Sequence, residues 1–449
     1  MSSTSPDAYD RGEAVCVIGA GASGLLAIKN LRENGFDVDC YERDTVIGGL
    51  WNPSNQHSPL YANTHLVTSR MHTEIPDFPM PDHWPDYPSA EQTLHYLKRY
   101  AKHFDLEKHI WFGSEIEQIT PIEGSRFEVS IKVASHSPRR RLRYAAVIIA
   151  SGHHWDPNLP HYPGLETFTG RTLHSSQLKS ASPIRGKKVL IVGGGNSGVD
   201  LACEVALNGT KCWHSTRRGY WHVPKYFDGQ PFDRAMRRAH SLPKPLRTMA
   251  TKRALNQATA TSQRLSSRDP DHRWGDEEPV RNGRYFEHLG EGSIQACPEI
   301  TRFEGSTVTF TDGTTAKPEL VIFATGFQWG IDCADNQLIG LESAQSRPKL
   351  MAHMFSPMSE TLAVAGLVEP GIGVFPVVHW QTHAIARWLH VRQGDPERAK
   401  AFRQQVLEET EKTTPPESNG LSPRHRLAVS SEEYMPSLAR IIRTLETVE

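Results

Sequence analysis

The stretch "AVCVIGAGASGLLAIKNLRENG" at residues 14–35 combines three local structural signals. Its beginning, 14–19, is a continuous apolar run of the kind that forms a parallel strand covered on both faces. Three glycines with GxGxxG spacing follow, Gly19, Gly21 and Gly24. The next residues carry apolar side chains at helical spacing and end in Asn34-Gly35, a helix-ending pair. The stretch therefore predicts a strand, a tight turn and a helix.

A turn of this kind binds a dinucleotide only in a particular context. The pyrophosphate must meet the N-terminus of a helix, and the ribose must meet an acidic residue about 20 positions further on. The stretch "DVDCYER" at 37–43 predicts the next strand, and Glu42 lies near its end. Although a lone GxGxxG can close an ordinary turn, this context favours a dinucleotide site formed by the three glycines and Glu42.

The same plan recurs about 170 residues later. "KKVLIVG" at 187–193 predicts a strand, a helix follows to Asn208-Gly209, and "KCWHSTR" at 211–217 predicts the next strand. The residues expected to contact a second dinucleotide are the turn residues Gly193, Gly195, Asn196, Ser197 and Gly198. Two such units in one chain indicate two dinucleotide-binding, Rossmann-like domains.

The second unit differs from the first where its second strand ends. Four residues stand there in place of a carboxylate: Ser215, Thr216, Arg217 and Arg218. Hydroxyls and a planar guanidinium suit the 2′-phosphate of NADPH, which an acidic residue would repel. The alternative is that these arginines are surface residues at a strand end. Paired dinucleotide folds usually hold FAD first and a nicotinamide second, so we expect FAD in the first unit and NADPH in the second.

The composition limits the class of protein. The chain has 449 residues, more than one hydrophobic core usually organises, and its formal net charge of −1 does not favour nucleic acid as a partner. The six cysteines lie far apart, without CxxC or a Cys/His cluster at zinc spacing, so we expect no metal site. No signal peptide opens the chain and no membrane span follows, which predicts a cytoplasmic protein with reduced thiols and no membrane partner.

One segment differs in composition from the alternating strands and helices around it. Residues 234–268 contain lysines and arginines throughout and no Asp or Glu. A solvated helical face is the simpler interpretation, and contact with RNA or another polyanion is the alternative.

Further stretches resemble the flavin-containing monooxygenases, in order and along most of the chain. They are "GGLW" at 48–51, "DFPMPDHWPDYPS" at 77–89, "FTGRTLHSS" at 168–176, "GGGNSGVDLA" at 193–202, "STRRG" at 215–219 and "FATGF" at 323–327. The family's identifying pattern is present as Phe168, Gly170 and His174, but Leu178 stands at its aromatic position. "LK" there also differs from the Trp-Pro or Trp-Asp of Baeyer–Villiger relatives, so the subclass stays open. We expect 168–174 to link the domains, with His174 orienting backbone.

The resemblance implies further cofactor contacts. The residues concerned are Gly49, Leu50 and Trp51 of the first motif and Thr325 and Gly326 of the last. The stretch 362–389 is similar to the segment with which the family returns to its flavin domain. Within it, Gln381 stands where the family has a polar residue near the flavin, and a role facing a neighbouring helix is the alternative.

The resemblance also implies a reaction. NADPH reduces FAD, dioxygen adds at the flavin C4a carbon, and the resulting hydroperoxide transfers one oxygen to a soft nucleophile, an amine or sulfide of a small molecule. The family retains NADP meanwhile, which shields this species from water. The alternatives are Baeyer–Villiger oxygenation of a ketone, and an NADPH reductase or oxidase without oxygen transfer. We expect the small-molecule substrate and O2 as partners. The assembly that we consider is a homodimer.

One departure from the family concerns the loop expected to face the reacting oxygen. Much of the family presents an Asn there, and an ungapped alignment from Tyr61 to Asp77 places Val67 at that position. Valine cannot donate a hydrogen bond. The candidates to replace the Asn are Thr68, Ser69 and Asn63. The alternative for each is a loop residue that satisfies its own backbone.

We therefore predict an α/β flavoprotein with two Rossmann-like domains, the NADPH domain being inserted into the FAD domain. Residues 1–159 would form the first part of the FAD-binding domain, 160–325 the NADPH-binding domain, and 326–449 the return to the FAD domain with C-terminal helices. The active site would lie in the cleft between the domains.

Overall fold

The structure of the protein is a computed structural model that describes residues 8–55, 57–133, 139–240, 243–265, 268–274, 277–328, 330–341, 348–412 and 427–446. Its strands are β1 (Tyr9–Asp10), β2 (Val15–Ile18), β3 (Val38–Tyr41), β4 (Ile110–Trp111), β5 (Ser114–Ile122), β6 (Arg126–Val133), β7 (Arg140–Tyr144), β8 (Ala146–Ile149), β9 (Asp156–Pro157), β10 (Arg171–His174), β11 (Lys188–Val192), β12 (Lys211–Ser215), β13 (His222–Val223), β14 (Tyr226–Phe227), β15 (Gln230–Pro231), β16 (Val280–Arg281), β17 (Ile294–Cys297), β18 (Ile300–Glu304), β19 (Thr307–Phe310), β20 (Thr315–Ala316), β21 (Leu320–Phe323), β22 (Phe327–Gln328), β23 (Leu362–Val364), β24 (Glu369–Pro370) and β25 (Ala428–Val429). The α-helices are α1 (Ala22–Glu33), α2 (Arg70–Thr73), α3 (Ala90–His103), α4 (Asn196–Asn208), α5 (Phe232–His240), α6 (Lys244–Leu265), α7 (Tyr285–Gly290), α8 (Val374–Gly394), α9 (Pro396–Lys412) and α10 (Ser431–Leu445).

The first unit forms a parallel sheet with the strand order β23-β8-β2-β3-β4. All four residues of β2 are buried, as the apolar run at 14–19 predicts. The edge strand β23 comes from the far end of the chain, and helix α8 follows it. Asn30 on α1 joins the two ends, because its Nδ2 donates to Thr382 Oγ1 on α8 over 2.8 Å.

The second unit forms another parallel sheet, with the order β10-β21-β11-β12-β17. All its strands lie between residues 171 and 323, inside the sequence that builds the first sheet. The predicted α/β fold, with one dinucleotide-binding domain inserted into the other, is therefore confirmed. The expectation that 168–174 is a linker was wrong in part, since 171–174 is an edge strand that pairs with β21 along its length.

Two crossovers connect the domains. Their strands β9 and β22 pair with each other in antiparallel register, Asp156 opposite Gln328 and Pro157 opposite Phe327. The domain boundaries that we propose, 159/160 and 325/326, lie beside this pair.

Other elements follow local signals. Helix α3 begins with a capping box, because Ser89 Oγ accepts from Gln92 N over 3.2 Å and Gln92 Oε1 accepts from Ser89 N over 2.9 Å.

The basic segment 234–268 forms part of α5 and all of α6, and its residues 241–242 and 266–267 lie outside the described ranges. Among the helices so described, none combines the length and apolarity that crossing a bilayer requires.

Candidate active site

The first glycine turn lies at the carboxyl end of β2. Gly19 has a φ of +99°, and a β-carbon there would come within 2.7 Å of the Ala150 carbonyl oxygen. A β-carbon on Gly24 would lie only 1.8 Å from the carbonyl oxygen of Gly19. The first and third glycines are therefore required by the packing of the chain itself.

Gly21 has a different reason to be glycine. A β-carbon there would lie 3.6 Å from Gly49 Cα, an ordinary contact, so the packing of the protein alone does not exclude a β-carbon. Gly21 is also the N-cap of α1, and no side chain of the described residues caps this helix. Unpaired N–H groups at a helix N-terminus bind phosphate well. The N–H groups at the start of α1, beside Gly21, therefore fit the pyrophosphate of FAD.

Glu42 is fixed beneath the same turn. Its Oε2 accepts from the Ala20 backbone N–H over 2.7 Å, and its Oε1 accepts from that of Asp44 over 2.9 Å. A carboxylate can accept about four hydrogen bonds, so Glu42 keeps capacity for a ribose hydroxyl. The buried position and the two backbone bonds set its orientation before any ligand binds.

The neighbouring motif at 48–51 forms a short 3-10 helix, Gly49–Trp51. Leu50 is held there through its carbonyl, which accepts from Ser58 Oγ over 2.6 Å. The Trp51 ring meets Phe375 of α8 edge-on, with 6.4 Å between centroids. We call the glycine turns at 19–24 and 193–198 the first and second cradles. These contacts place the motif between the first cradle and the return segment, 362–389.

The second glycine turn repeats the first. Gly193 has a φ of +124°, and a β-carbon on Gly198 would lie 1.9 Å from its carbonyl oxygen. Gly195 is the N-cap of α4, which has no side-chain cap within the described ranges. Asn196 Oδ1 accepts from the Arg281 backbone N–H over 2.9 Å, whereas Ser197 is exposed. The uncapped helix start fits a second pyrophosphate.

The four residues after the second strand have separate environments. Ser215 is buried, and its Oγ donates to the Pro298 carbonyl over 2.6 Å. Thr216 is half-buried at the strand end. Arg217 is exposed, and its guanidinium has no hydrogen-bond or ion-pair partner within the described residues. Arg218 is half-buried and ion-paired, so Arg217 is the arginine available to a phosphate.

Arg218 binds two acidic residues that the sequence places more than 50 positions away. Its Nη2 lies 2.6 Å from Asp271 Oδ1, and its Nη1 lies 2.8 Å from Glu277 Oε1. Its guanidinium also lies over the Tyr220 ring, 5.8 Å from the centroid. The hydrogen bonds from Arg218 hold the pKa of Asp271 below its usual range, against the opposing effect of burial. These contacts make Arg218 part of the domain's scaffold.

Thr325 and Gly326 lie at the second crossover. Thr325 Oγ1 donates to the Asn158 carbonyl over 2.6 Å, and the Gly326 carbonyl accepts from His174 Nε2 over 3.0 Å. Burial lowers the pKa of His174 and favours the neutral ring. This geometry agrees with a role for His174 in orienting backbone.

Gln381 is fully buried in α8. Its Oε1 accepts from the Gly366 backbone N–H over 3.0 Å, and its Nε2 donates to the Tyr434 hydroxyl over 2.6 Å. Both polar atoms are thus used by the protein, which is the arrangement expected of a residue that joins α8 to its neighbours. Its contact with the flavin stays a prediction.

The loop with Val67 lies where the two domains meet. Asn63 Nδ2 donates to Glu204 Oε2 on α4 over 3.0 Å. The Ser69 backbone N–H donates to Asp233 Oδ2 on α5 over 2.7 Å. The Thr68 hydroxyl is buried and lies 2.8 Å from Thr73 Oγ1. The first domain therefore contacts two helices of the second domain through the candidate catalytic residues.

His72 also belongs to this group, although no sequence motif marks it. Its Nδ1 lies 3.0 Å from Ser69 Oγ and 3.7 Å from Asp233 Oδ1. Its Nε2 is buried and has no hydrogen-bond partner in the described part of the chain. Burial is the main cause that lowers the pKa of His72. A buried ring nitrogen without a partner at a domain boundary is a candidate ligand contact.

Comparisons with known proteins agree with this geometry. The family model described as flavin-binding monooxygenase-like matches residues 12–447. Dimethylaniline monooxygenase (N-oxide-forming) 2 of Rattus norvegicus is 32% identical over 392 residues, covering 83% of this chain and 72% of the relative. Flavin-containing monooxygenase 2 of Homo sapiens is 30% identical over 394 residues, covering 84% and 72%.

Solved structures share the fold. The S-allyl-L-cysteine S-oxygenase of Allium sativum superposes with a TM-score of 0.67 at 19% identity, over 96% of this chain and 88% of that one. Cyclohexanone monooxygenase from Rhodococcus sp. Phi1 gives a TM-score of 0.69 at 17% identity, over 97% and 98%. With the matching family model and two fitting cradles, the chain belongs to the flavin-containing monooxygenase family and is an FAD-dependent, NADPH-using monooxygenase.

Proposed function

We propose that the protein uses NADPH and O2 to oxygenate the nitrogen or sulfur atom of a small, soft nucleophile. The observation that carries this proposal is the 32% identity over 392 residues to a relative named for N-oxide formation. Amines and sulfides share an exposed lone pair, so an oxygen donor that accepts one can accept the other.

Bound FAD would accept a hydride and activate dioxygen, whereas the chain orients the cofactors and excludes water from them. The N–H groups that begin α1 hold the FAD pyrophosphate in the space beside Gly21. Glu42, held by Ala20 and Asp44, accepts a hydrogen bond from the ribose. The flavin is thereby fixed relative to the cleft.

NADPH is held by the second turn in the same way. The start of α4 meets its pyrophosphate, and Arg217 pairs with its 2′-phosphate. Arg218 acts as a positioning residue, because its ion pairs with Asp271 and Glu277 hold the chain that carries Arg217.

The loop at 61–73 shelters the reacting centre at the domain boundary. Val67 has no donor, so its place toward the reacting oxygen and the nicotinamide ribose falls to the hydroxyls of Thr68 and Ser69, which would exchange their contacts with Thr73 and His72 for it. His72 adds a ring nitrogen with no other described partner. Asn63 instead anchors the loop to α4 through Glu204.

The test is a set of tertiary amines, sulfides and cyclic ketones, assayed with NADPH and isotopically labelled O2. We expect one labelled oxygen atom in an amine or sulfide product and equimolar NADPH consumption. Labelled lactones from ketones alone would favour the Baeyer–Villiger alternative. Peroxide as the sole product with every compound would overturn oxygen transfer and favour the reductase or oxidase.

A further inference from the structure

A cluster of three potential metal ligands lies at the same edge of the first sheet as the first glycine turn, but on other residues. It consists of His153, His154 and Glu369, whose ligand atoms all lie within 4.8 Å of one another. His153 and His154 follow strand β8, and Glu369 follows strand β23. These two strands are neighbours in parallel register, so their carboxyl ends bring the three residues to one edge of the first sheet.

The distances in the cluster match coordination better than hydrogen bonding. Glu369 Oε1 lies 3.6 Å from His153 Nε2 and 3.4 Å from His154 Nε2. Both distances exceed the usual N–H···O range of about 2.7–3.2 Å. Ligand atoms around a tetrahedral Zn²⁺ lie about 3.3 Å apart, because each bond is about 2.0–2.1 Å long. The two distances to Glu369 are thus close to those of such a site, and the two imidazole ligand atoms lie within 4.8 Å of each other.

A second observation concerns the His153 ring, whose Nδ1 takes no part in these distances. Both ring nitrogens of His153 are buried and have no hydrogen-bond partner among the residues that the structure describes. A buried polar group without a partner usually indicates an ion or water that the protein binds. The His154 side chain is 42% exposed, so an ion can enter from solvent and keep a water ligand.

We propose that His153, His154 and Glu369 bind one Zn²⁺ or a chemically similar divalent transition-metal ion, with water as the fourth ligand. Two imidazoles and one carboxylate suit Zn²⁺. The histidines directly precede the crossover strand β9, and the His154 ring packs on Phe327 of the other crossover at 5.6 Å. A bound ion would therefore tie the entry into the second domain to the return segment at Glu369.

The test is titration of the chelator-washed, flavin-containing full chain with Zn²⁺, followed by calorimetry and by competition with a coloured chelator. We expect one Zn²⁺ per chain. His154→Ala and Glu369→Gln should each weaken binding more than about tenfold, the loss that even supporting partners of metal ligands cause. The control His161→Ala removes an exposed histidine outside the cluster and should leave the affinity unchanged. Absence of binding, or equal affinity in all variants, would overturn the proposal.

A second measurement needs no variant. Diethyl pyrocarbonate modifies neutral histidines, and mass spectrometry of peptides locates the modified sites. Zn²⁺ should protect His154, whose side chain is exposed, in the wild-type chain and leave the modification of His161 unchanged. Unaltered modification of His154 at a saturating Zn²⁺ concentration would also overturn the assignment.

Discussion

His214 holds the carbonyl group of Gly193 in the second cradle, with 2.9 Å between its Nε2 and the oxygen. Since a carbonyl oxygen only accepts, Nε2 carries the hydrogen, and Nδ1 accepts from the Tyr285 hydroxyl over 2.7 Å. In the first cradle, Cys40 Sγ lies 3.5 Å from the carbonyl oxygen of Gly19. A buried side chain on the second strand of each unit thus fixes the first glycine of its turn.

This contact predicts a pH dependence of stability. Burial lowers the pKa of His214 to about 4, whereas an unfolded histidine titrates near about 6.5. The unfolded chain therefore binds the proton more readily, so stability is fully present above pH 6.5 and is lost as the pH falls toward 4. A shift of this size corresponds to about 3 kcal/mol.

His214→Gln keeps a donor for Gly193 and an acceptor for Tyr285 but does not titrate. We expect its free energy of unfolding in urea to fall less steeply than that of the wild type between pH 6.5 and 4.5. His161→Gln, at an exposed site, serves as the control and should follow the wild type. Parallel curves for His214→Gln and wild type would refute this assignment.

Replacement of Gly21 by valine should remove FAD without unfolding the protein. Its β-carbon would make only an ordinary 3.6 Å contact with Gly49 but would occupy the proposed pyrophosphate space. We expect FAD to bind more than about tenfold more weakly, a loss of at least about 1.4 kcal/mol, as measured by flavin absorbance per chain after gel filtration. Gly394→Val, at a helix end with no neighbour within 4 Å, should retain its flavin. Full flavin content in Gly21→Val would remove the first cradle from the FAD site.

The two arginines after β12 should behave differently. Arg217→Ala should lower kcat/KM for NADPH about 10- to 150-fold relative to NADH, because a charge-assisted contact contributes about 1.5–3 kcal/mol. Arg218→Ala should affect both coenzymes equally and lower the midpoint of thermal unfolding, because it breaks ion pairs with Asp271 and Glu277. A selective loss of NADPH in Arg218→Ala, with none in Arg217→Ala, would reverse these roles.

The loop prediction separates oxygen transfer from cofactor oxidation. Thr68→Val combined with Ser69→Ala should raise hydrogen peroxide per NADPH several-fold and lower product correspondingly, since the hydroxyls shelter the reacting centre. Asn63→Ala removes the contact with Glu204. In this variant, substrate oxygenation should stay coupled to NADPH consumption. Peroxide and product are measured against NADPH consumption. If Asn63→Ala uncouples the enzyme and the double variant does not, Asn63 is the residue that replaces the family's Asn.

Much of the fold is predictable because its signals are local. The apolar run at 14–19 predicts β2, and the apolar residues at helical spacing up to Asn34 predict α1. Both patterns lie within the element that they predict. Gly24 is required by the carbonyl oxygen of Gly19 within its own turn, whereas Gly19 is required by Ala150, which only the folded sheet brings near. Edge strand β10 has no such signal, because its sequence RTLH contains no apolar run and its first two residues are exposed, and its partner β21 lies far along the chain.

The candidate sites divide in the same way. The two glycine turns, Glu42 and the two arginines can be predicted from the sequence, because each depends on spacing within one βαβ unit. The ion pair of Arg218 with Asp271 and the approach of Glu369 to His153 follow instead from the folded arrangement of the chain. These contacts join residues far apart in sequence, and their distances are set by how strands and loops pack, which no local pattern encodes.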